Sequence, residues 1–102
     1  DPTAHAEILC IREASKKIKN ERLINCKIFS TLEPCLMCAS AISLARIEKV
    51  FFGAYDYKNG AIDSGIKFFE TVYCNHRPEF FGGFKEKDSE TLLKKYFKMK
   101  RV

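Results

Sequence analysis

A Pro-Cys-x-x-Cys motif limits what this chain can fold into more than any other feature of its sequence. Pro34, Cys35 and Cys38 form the motif, and a short run of β-forming residues, 26–32, precedes it. Proline is favoured in the first turn of a helix, where its missing N–H is no loss. We therefore expect a strand to end and a helix to begin here. Cys35 and Cys38 then lie in one turn with their sulfur atoms on one face, and the helix N-terminus favours thiolates.

A histidine and a glutamate near the start of the chain complete a candidate metal site. Zinc is bound by thiolate and imidazole, and catalytic sites use three protein ligands and a water. His5, Cys35 and Cys38 supply three ligands, which predicts one Zn²⁺ per chain. Glu7 makes this a candidate active site, because a carboxylate beside such a water can accept its proton and deliver protons to a leaving group.

A closed structural zinc site is the alternative. It would use Cys74 or His76 as a fourth ligand and would leave Glu7 as an exposed acid in the first turn of a helix. Closed sites with Cys and His ligands are common, and the spacing alone does not exclude one. In either case the cysteine count of five, an odd number, fits metal binding in a reducing compartment better than a disulfide framework.

Helical and strand patterns alternate along the chain. They predict, in order, a helix over 4–19, a strand over 26–32, a helix over 34–45, a strand over 47–54, a short helix within 62–73, a strand within 79–84 and a final helix after Ser89. Such alternation is typical of an α/β fold with a largely parallel sheet. The length of 102 residues predicts a single domain.

The charge of the chain is concentrated at its end. The formal net charge is +5, and the segment from Lys85 onward carries seven Lys or Arg against three acids. A basic helix of this kind suits a phosphate backbone, and Tyr96 and Phe97 within it could stack a base. The alternative is that Phe97 lies in the core and the lysines are solvated. No apolar run approaches the roughly 18 residues of a membrane span, so we expect a soluble, cytoplasmic protein.

His5-Ala6-Glu7 and Pro34-Cys35-Leu36-Met37-Cys38 match H-x-E and P-C-x-x-C. On these residues the chain resembles the zinc-dependent nucleobase deaminases, most closely the bacterial tRNA adenosine deaminases. The resemblance extends over essentially the whole chain. It includes Thr31-Leu32-Glu33, Ala45-Arg46-Ile47, Gly53-Ala54, Asn75-His76 and Leu92-Leu93.

The resemblance implies a three-layer α/β/α cytidine-deaminase-like fold and the deamination of adenosine to inosine at the wobble position of tRNA. Zinc held by His5, Cys35 and Cys38 would activate water, which attacks C6 of a flipped-out adenine. Glu7 would shuttle protons to N1 and to the departing ammonia. The backbone N–H of Cys35 would donate to the oxygen as charge develops there.

The resemblance also implies where the RNA lies. It puts Asp56 beside the flipped nucleotide or its neighbour, although a turn-forming Asp ahead of Asn59 and Gly60 is the simpler interpretation of the sequence alone. The remaining candidates for contact with the tRNA anticodon stem-loop are Asn75, His76, Arg77, Phe97, Lys98 and Arg101. The family further implies a homodimer, formed through faces that include the zinc-motif helices.

The family's core has a helix and two strands before the H-x-E helix, and these are absent from the present sequence. We therefore expect an N-terminally truncated deaminase domain with an open sheet edge. We also expect the 102-residue chain alone to bind zinc weakly and to deaminate tRNA poorly, because a wall of its pocket is missing. Two other functions stay open: deamination of guanine or another nucleobase, and a non-catalytic, zinc-stabilised RNA-binding subunit.

Overall fold

The structure, a computed structural model, describes residues 1–84. The final helix predicted after Ser89 lies outside these residues, together with Phe97, Lys98 and Arg101. The elements in chain order are α1 (Ala6–Ile18), β1 (Lys27–Leu32), α2 (Leu36–Leu44), β2 (Lys49–Ala54), a 3₁₀ turn (Phe68–Glu70) and β3 (Glu79–Phe81). None of the helices in this part of the chain is both long and apolar enough to cross a bilayer.

The three strands form one parallel sheet in the order β1-β2-β3. In its register Ile28 is paired with Val50, and Val50 with Phe80. Parallel neighbours require crossover connections, and α2 supplies the one between β1 and β2. The predicted α/β fold with a parallel sheet is confirmed.

The core lies on the sheet face that carries Ile28, Val50 and Phe52. These side chains pack with Ala39 and Ile42 of α2 in one buried cluster. Val50, Phe52 and Ile42 are fully buried, and each such apolar side chain stabilises the fold by roughly 1.5–3 kcal/mol. Helix α1 contributes less, because none of its residues is buried and only Ile11 and Ala14 pack against the cluster.

The opposite face of the sheet carries a row of aromatic rings. Phe29, Phe51 and Phe81 are adjacent in the register. Their rings stack with centroid separations of 4.8 and 4.9 Å, and Phe84 packs against Phe29 and Phe51. Phe29, Phe81 and Phe84 remain 36–41% exposed, so in the described part of the chain this face is only partly covered.

Both helices begin later than the sequence pattern predicts. His5 and Cys35 are N-cap residues with extended backbones, so α1 begins at Ala6 and α2 at Leu36. Pro34 therefore precedes the helix instead of opening its first turn, and its carbonyl oxygen accepts the N–H of Ala61 at 2.9 Å. This bond to a distant loop keeps Pro34 out of the helix.

Candidate active site

A cleft of about 640 Å³ opens where β1 and β2 end and the two helices begin. Ligands of parallel α/β sheets commonly bind at this edge, beyond the carboxyl ends of the strands. The lining combines the N-termini of α1 and α2 with the loop after β2. The lining residues are His5, Ala6, Glu7, Leu32, Glu33, Cys35, Leu36, Met37, Asp56 and Asn59.

The three predicted metal ligands meet at this cleft, which His5 and Cys35 line and beneath which Cys38 is buried. His5 Nδ1 lies 3.4 Å from Cys38 Sγ and 3.6 Å from Cys35 Sγ, and the three atoms lie within 4.8 Å of one another. A tetrahedral ion about 2.3 Å from sulfur and about 2.0–2.1 Å from nitrogen separates the two ligand atoms by about 3.5–3.6 Å. The separations and the thiolate–imidazole donor set therefore fit zinc.

The fourth ligands of the closed-site alternative lie elsewhere. The Cys74 thiol donates to the carbonyl oxygen of His76 at 3.0 Å and lies 3.4 Å from Ser43 Oγ. The His76 ring donates from Nε2 to the carbonyl oxygen of Ile47 at 2.7 Å. Within residues 1–84, only His5, Cys35 and Cys38 form a group that could hold a metal. Three ligands leave a coordination position open for water or substrate.

Glu7 lies beside the ligand group in the first turn of α1. Ser30 Oγ lies 3.3 Å from Glu7 Oε1, and it also donates to the carbonyl oxygen of Leu32 at 2.6 Å. Glu7 is half-buried and faces the cleft, so it is not the exposed acid that the closed-site alternative requires.

The surroundings of Cys38 oppose the thiolate in the absence of a cation. Burial raises the pKa of the Cys38 thiol far above its usual range, and the Glu7 carboxylate raises this pKa further. A metal cation reverses the effect, because a coordinating thiol is deprotonated and metal binding releases its proton.

Asp56 fits both interpretations that the sequence allows, a turn-forming residue and a residue beside the substrate. Its Oδ1 accepts the N–H groups of Lys58 at 3.1 Å and Asn59 at 3.0 Å, which is the turn-forming role. The same residue lines the cleft together with Asn59, as do His5 and Cys35. The side chain that closes the turn therefore also stands at the edge of the site.

The segment Asn75-His76-Arg77 lies away from this cleft. It precedes β3, whereas Asp56 follows β2, and in a parallel sheet these positions are at opposite edges. His76 and Arg77 line a second cleft of about 400 Å³ at the amino ends of the strands, with Arg22, Arg46 and Glu48 among its other residues. Asn75 is exposed. The structure therefore does not bring this predicted RNA-facing segment together with Asp56.

One further residue of the cleft, Glu33, was not singled out by the motif argument. It is 3% exposed and accepts five hydrogen bonds from the segment 56–64. The sequence does carry a signal, because Glu33 is the only charged residue between Lys27 and Arg46. A lone acid in an apolar stretch is rarely buried without partners.

Comparison with known proteins agrees with this geometry. The family model of the MafB19-like deaminases matches residues 1–101. The chain belongs to this deaminase family. It is 46% identical over 102 residues to a tRNA-specific adenosine deaminase of Agrobacterium fabrum, matching all of this chain and 67% of that protein. It is 45% identical over 94 residues to one of Rickettsia bellii, matching 92% of this chain and 65% of that protein.

A solved structure shares the fold. It comes from a study of A-to-I editing by tRNA:A34 deaminases at the wobble position of transfer RNA. Its TM-score is 0.82 at 46% identity, over 90% of this chain and 67% of that one. This similarity confirms the predicted deaminase fold. The chain spans about two thirds of the length of the relatives that it matches.

Proposed function

We propose that this protein deaminates adenosine to inosine at the wobble position of a tRNA anticodon. The observation that carries the proposal is the position of Glu7, which lines the same cleft as His5 and Cys35. The ligand atoms of these two residues lie within 4.8 Å of the buried sulfur of Cys38. The identity of about 45% to proteins named tRNA-specific adenosine deaminase supports adenosine in tRNA as the substrate.

The proposed cofactor is one zinc ion per chain, held by His5 Nδ1 and the sulfur atoms of Cys35 and Cys38. When bound at a three-ligand site, zinc activates a water molecule as a nucleophile at neutral pH. The cleft leaves this side of the ligand group open to a base, because Cys35 and His5 both line it.

Glu7 would then transfer the protons of the reaction. Its carboxylate accepts a proton from the attacking water and delivers it to N1 of adenine while oxygen adds to C6. The remaining proton of the added oxygen passes through Glu7 to the amino group, which leaves as ammonia as the C6–N bond breaks and the C6 carbonyl forms. The sum is adenosine plus water giving inosine plus ammonia.

Other residues of the cleft would orient the base. The backbone N–H of Cys35 lies at the N-terminus of α2 and would donate to the oxygen as charge develops on it. Asp56 and Asn59 line the same cleft and would contact the flipped nucleotide. We propose that the anticodon stem contacts His76 and Arg77 at the second cleft, the neighbouring Asn75, and Phe97, Lys98 and Arg101.

The surface of α2 supports a homodimer as the functional form. This helix is apolar on nearly all sides, and Leu36 and Leu44 are 45% and 80% exposed. A helix that is hydrophobic all round is normally buried. A second copy of the chain would cover this surface close to the cleft.

Replacing Glu7 by Gln tests the proposed chemistry. Inosine formation is measured in an anticodon stem-loop RNA with adenosine at the wobble position, beside the zinc content of the protein. Loss of general acid–base catalysis typically costs about 10²–10⁴-fold, so we expect a fall of that size in kcat with zinc retained. Glu13→Gln is the matched control, because it makes the same change on α1 at a carboxylate that pairs with Lys17.

The same assay separates the rival functions. A wild-type protein that deaminates free guanine but not the RNA would replace the proposal by a guanine deaminase. A protein that binds the stem-loop, shows no deamination and is unaffected by Glu7→Gln would be a non-catalytic subunit. Equal kcat values for wild type and Glu7→Gln on the RNA would remove Glu7 from the mechanism.

A further inference from the structure

Glu33 is a buried carboxylate between the strand and the helix that build the site. It follows Leu32, the last residue of β1, and precedes Pro34 and the ligand Cys35. Its residue surface is 3% exposed, although charged side chains are almost never buried unless they are paired. Its partners therefore indicate what it does.

Five donors surround this carboxylate, and all belong to the loop 56–64. Oε1 accepts the N–H of Asp56 at 3.1 Å and the hydroxyl of Ser64 at 2.8 Å. Oε2 accepts the N–H groups of Ile62 at 3.0 Å, Asp63 at 2.8 Å and Ser64 at 2.9 Å. Hydrogen bonds to an ionised acceptor are roughly twice as strong as neutral ones. One side chain thus forms hydrogen bonds with both ends of the loop.

The loop is also in close contact with the residues that lead into the metal ligands. The N–H of Ala61 donates to the carbonyl oxygen of Pro34 at 2.9 Å, and Gly60 forms an isolated antiparallel bridge with Cys35. A Cβ atom on Gly60 would lie 2.5 Å from Cδ of Glu33. Only glycine therefore fits at this position without displacing the carboxylate.

The loop begins with one wall of the cleft, which His5 and Cys35 line as well. Asp56, whose N–H is bonded to Glu33, lines the cleft with Asn59. Glu33 provides five of the hydrogen bonds that fix this wall beside the ligands, in addition to the bond from Ala61 to Pro34 and the bridge between Gly60 and Cys35. Loss of its acceptor oxygens would loosen the wall without removing any ligand.

We propose that Glu33 is a positioning residue that holds the substrate-facing wall of Asp56 and Asn59 in place against the metal ligands. The proposal rests on the proposed function of this cleft. It concerns how the base is bound and not the proton transfers of Glu7. Substrate binding should therefore suffer more than turnover.

Glu33→Gln tests the proposal in the zinc-loaded protein. The amide keeps the size of the side chain but turns one acceptor into a donor that faces backbone N–H groups. We expect KM for the stem-loop RNA to rise at least tenfold, kcat per zinc-loaded protein to change less than threefold, and zinc content to stay the same. A merely structural defect would instead lower the active fraction, which reduces the apparent kcat and leaves KM unchanged.

Hydrogen exchange supplies a readout that does not depend on activity. In Glu33→Gln the amides of Ile62, Asp63 and Ser64 should exchange at least tenfold faster, while those of β1 keep their rates. Ser64→Ala is a milder second variant that removes one of the five donors, and we expect it to raise KM about threefold. The matched controls are Glu70→Gln, on an exposed carboxylate, and Thr71→Ala, whose hydroxyl donates to Phe68 outside the loop.

The outcomes separate this proposal from the proposed function. If the wild-type protein does not deaminate the RNA, the proposed function fails, and the exchange rates still decide whether Glu33 holds the loop. If the RNA is deaminated and Glu33→Gln speeds exchange without raising KM, the residue is part of the fold only and the proposal is overturned. Unchanged exchange in both Glu33→Gln and Ser64→Ala overturns it as well.

Discussion

Zinc should stabilise this protein through Cys38 and not through Cys74. Both cysteines are buried, but only the sulfur of Cys38 lies beside His5 Nδ1, at 3.4 Å. A ligand that binds only the folded state stabilises it by about 2.7 kcal/mol at a free concentration of 100 times its Kd. For a domain of about 100 residues, 1 kcal/mol shifts Tm by about 4–8 °C, so saturating zinc should raise Tm by roughly 10–20 °C.

The two alanine variants form a matched pair for this measurement. Each removes one buried sulfur, so each should destabilise the metal-free protein by about 1–2 kcal/mol. Thermal unfolding is followed by circular dichroism in chelator and in excess zinc. Cys74→Ala should keep the whole zinc-dependent rise in Tm, because Cys74 is bonded to the His76 carbonyl and not to the ligand group. Cys38→Ala should lose most of the rise.

Two results would refute this reasoning. A full zinc-dependent rise in Cys38→Ala would mean that zinc binds elsewhere. Loss of the rise in Cys74→Ala would mean that Cys74 is a ligand and that the site is closed by a fourth protein group. The second result would also remove the open coordination position on which the proposed reaction depends.

Three further predictions concern other parts of the molecule. His76→Ala removes the ring donor to the Ile47 carbonyl and should cost about 0.5–1.5 kcal/mol in urea unfolding while zinc content stays unchanged; zinc loss would make His76 a ligand. Desolvation and then the Asp63 carboxylate raise the pKa of Tyr55. Its contribution to stability is thus fully present below the usual phenol pKa of about 10 and lost as pH rises through the folded value. Phenolate absorbance should show that Tyr55 titrates at a higher pH than an ordinary phenol, and that it titrates at a lower pH in Asp63→Asn than in the wild type. An ordinary Tyr55 pKa in the wild type would contradict this. Leu44→Glu should convert a dimer to monomers in sedimentation, and an unchanged mass would exclude α2 from the interface.

Part of the group formed by His5, Cys35 and Cys38 was predictable because the signal of the two cysteines is local. Cys35 and Cys38 are one turn apart at a helix start, and the alternating pattern indicated a parallel sheet that places strand ends together. The start of α2 was shifted by two residues for a reason that is not local. Pro34 is bonded to Ala61, which is 27 positions later, and this contact cannot be seen in the sequence around the motif.

The position of Asn75-His76-Arg77 is predictable from the order of the elements. The segment comes before a strand, while Asp56 comes after one, and that order alone puts them at opposite ends of the strands of a parallel sheet. The hydrogen bonds of Glu33 could not be predicted in this way. Its five donors lie 23–31 positions away in the chain, and no local pattern indicates them.

Helix α1 holds two of the residues that matter most, His5 at its N-cap and Glu7 in its first turn, yet none of its residues is buried. A metal shared by His5 and Cys35 would join positions that are 30 apart in the chain. A permanent cross-link closing a loop of this size is worth about 3–4 kcal/mol on the chain-entropy estimate for disulfides. A bound ion would thus add to the stability of α1 against the rest of the fold, and so would stabilise the position of Glu7 as well as activate water.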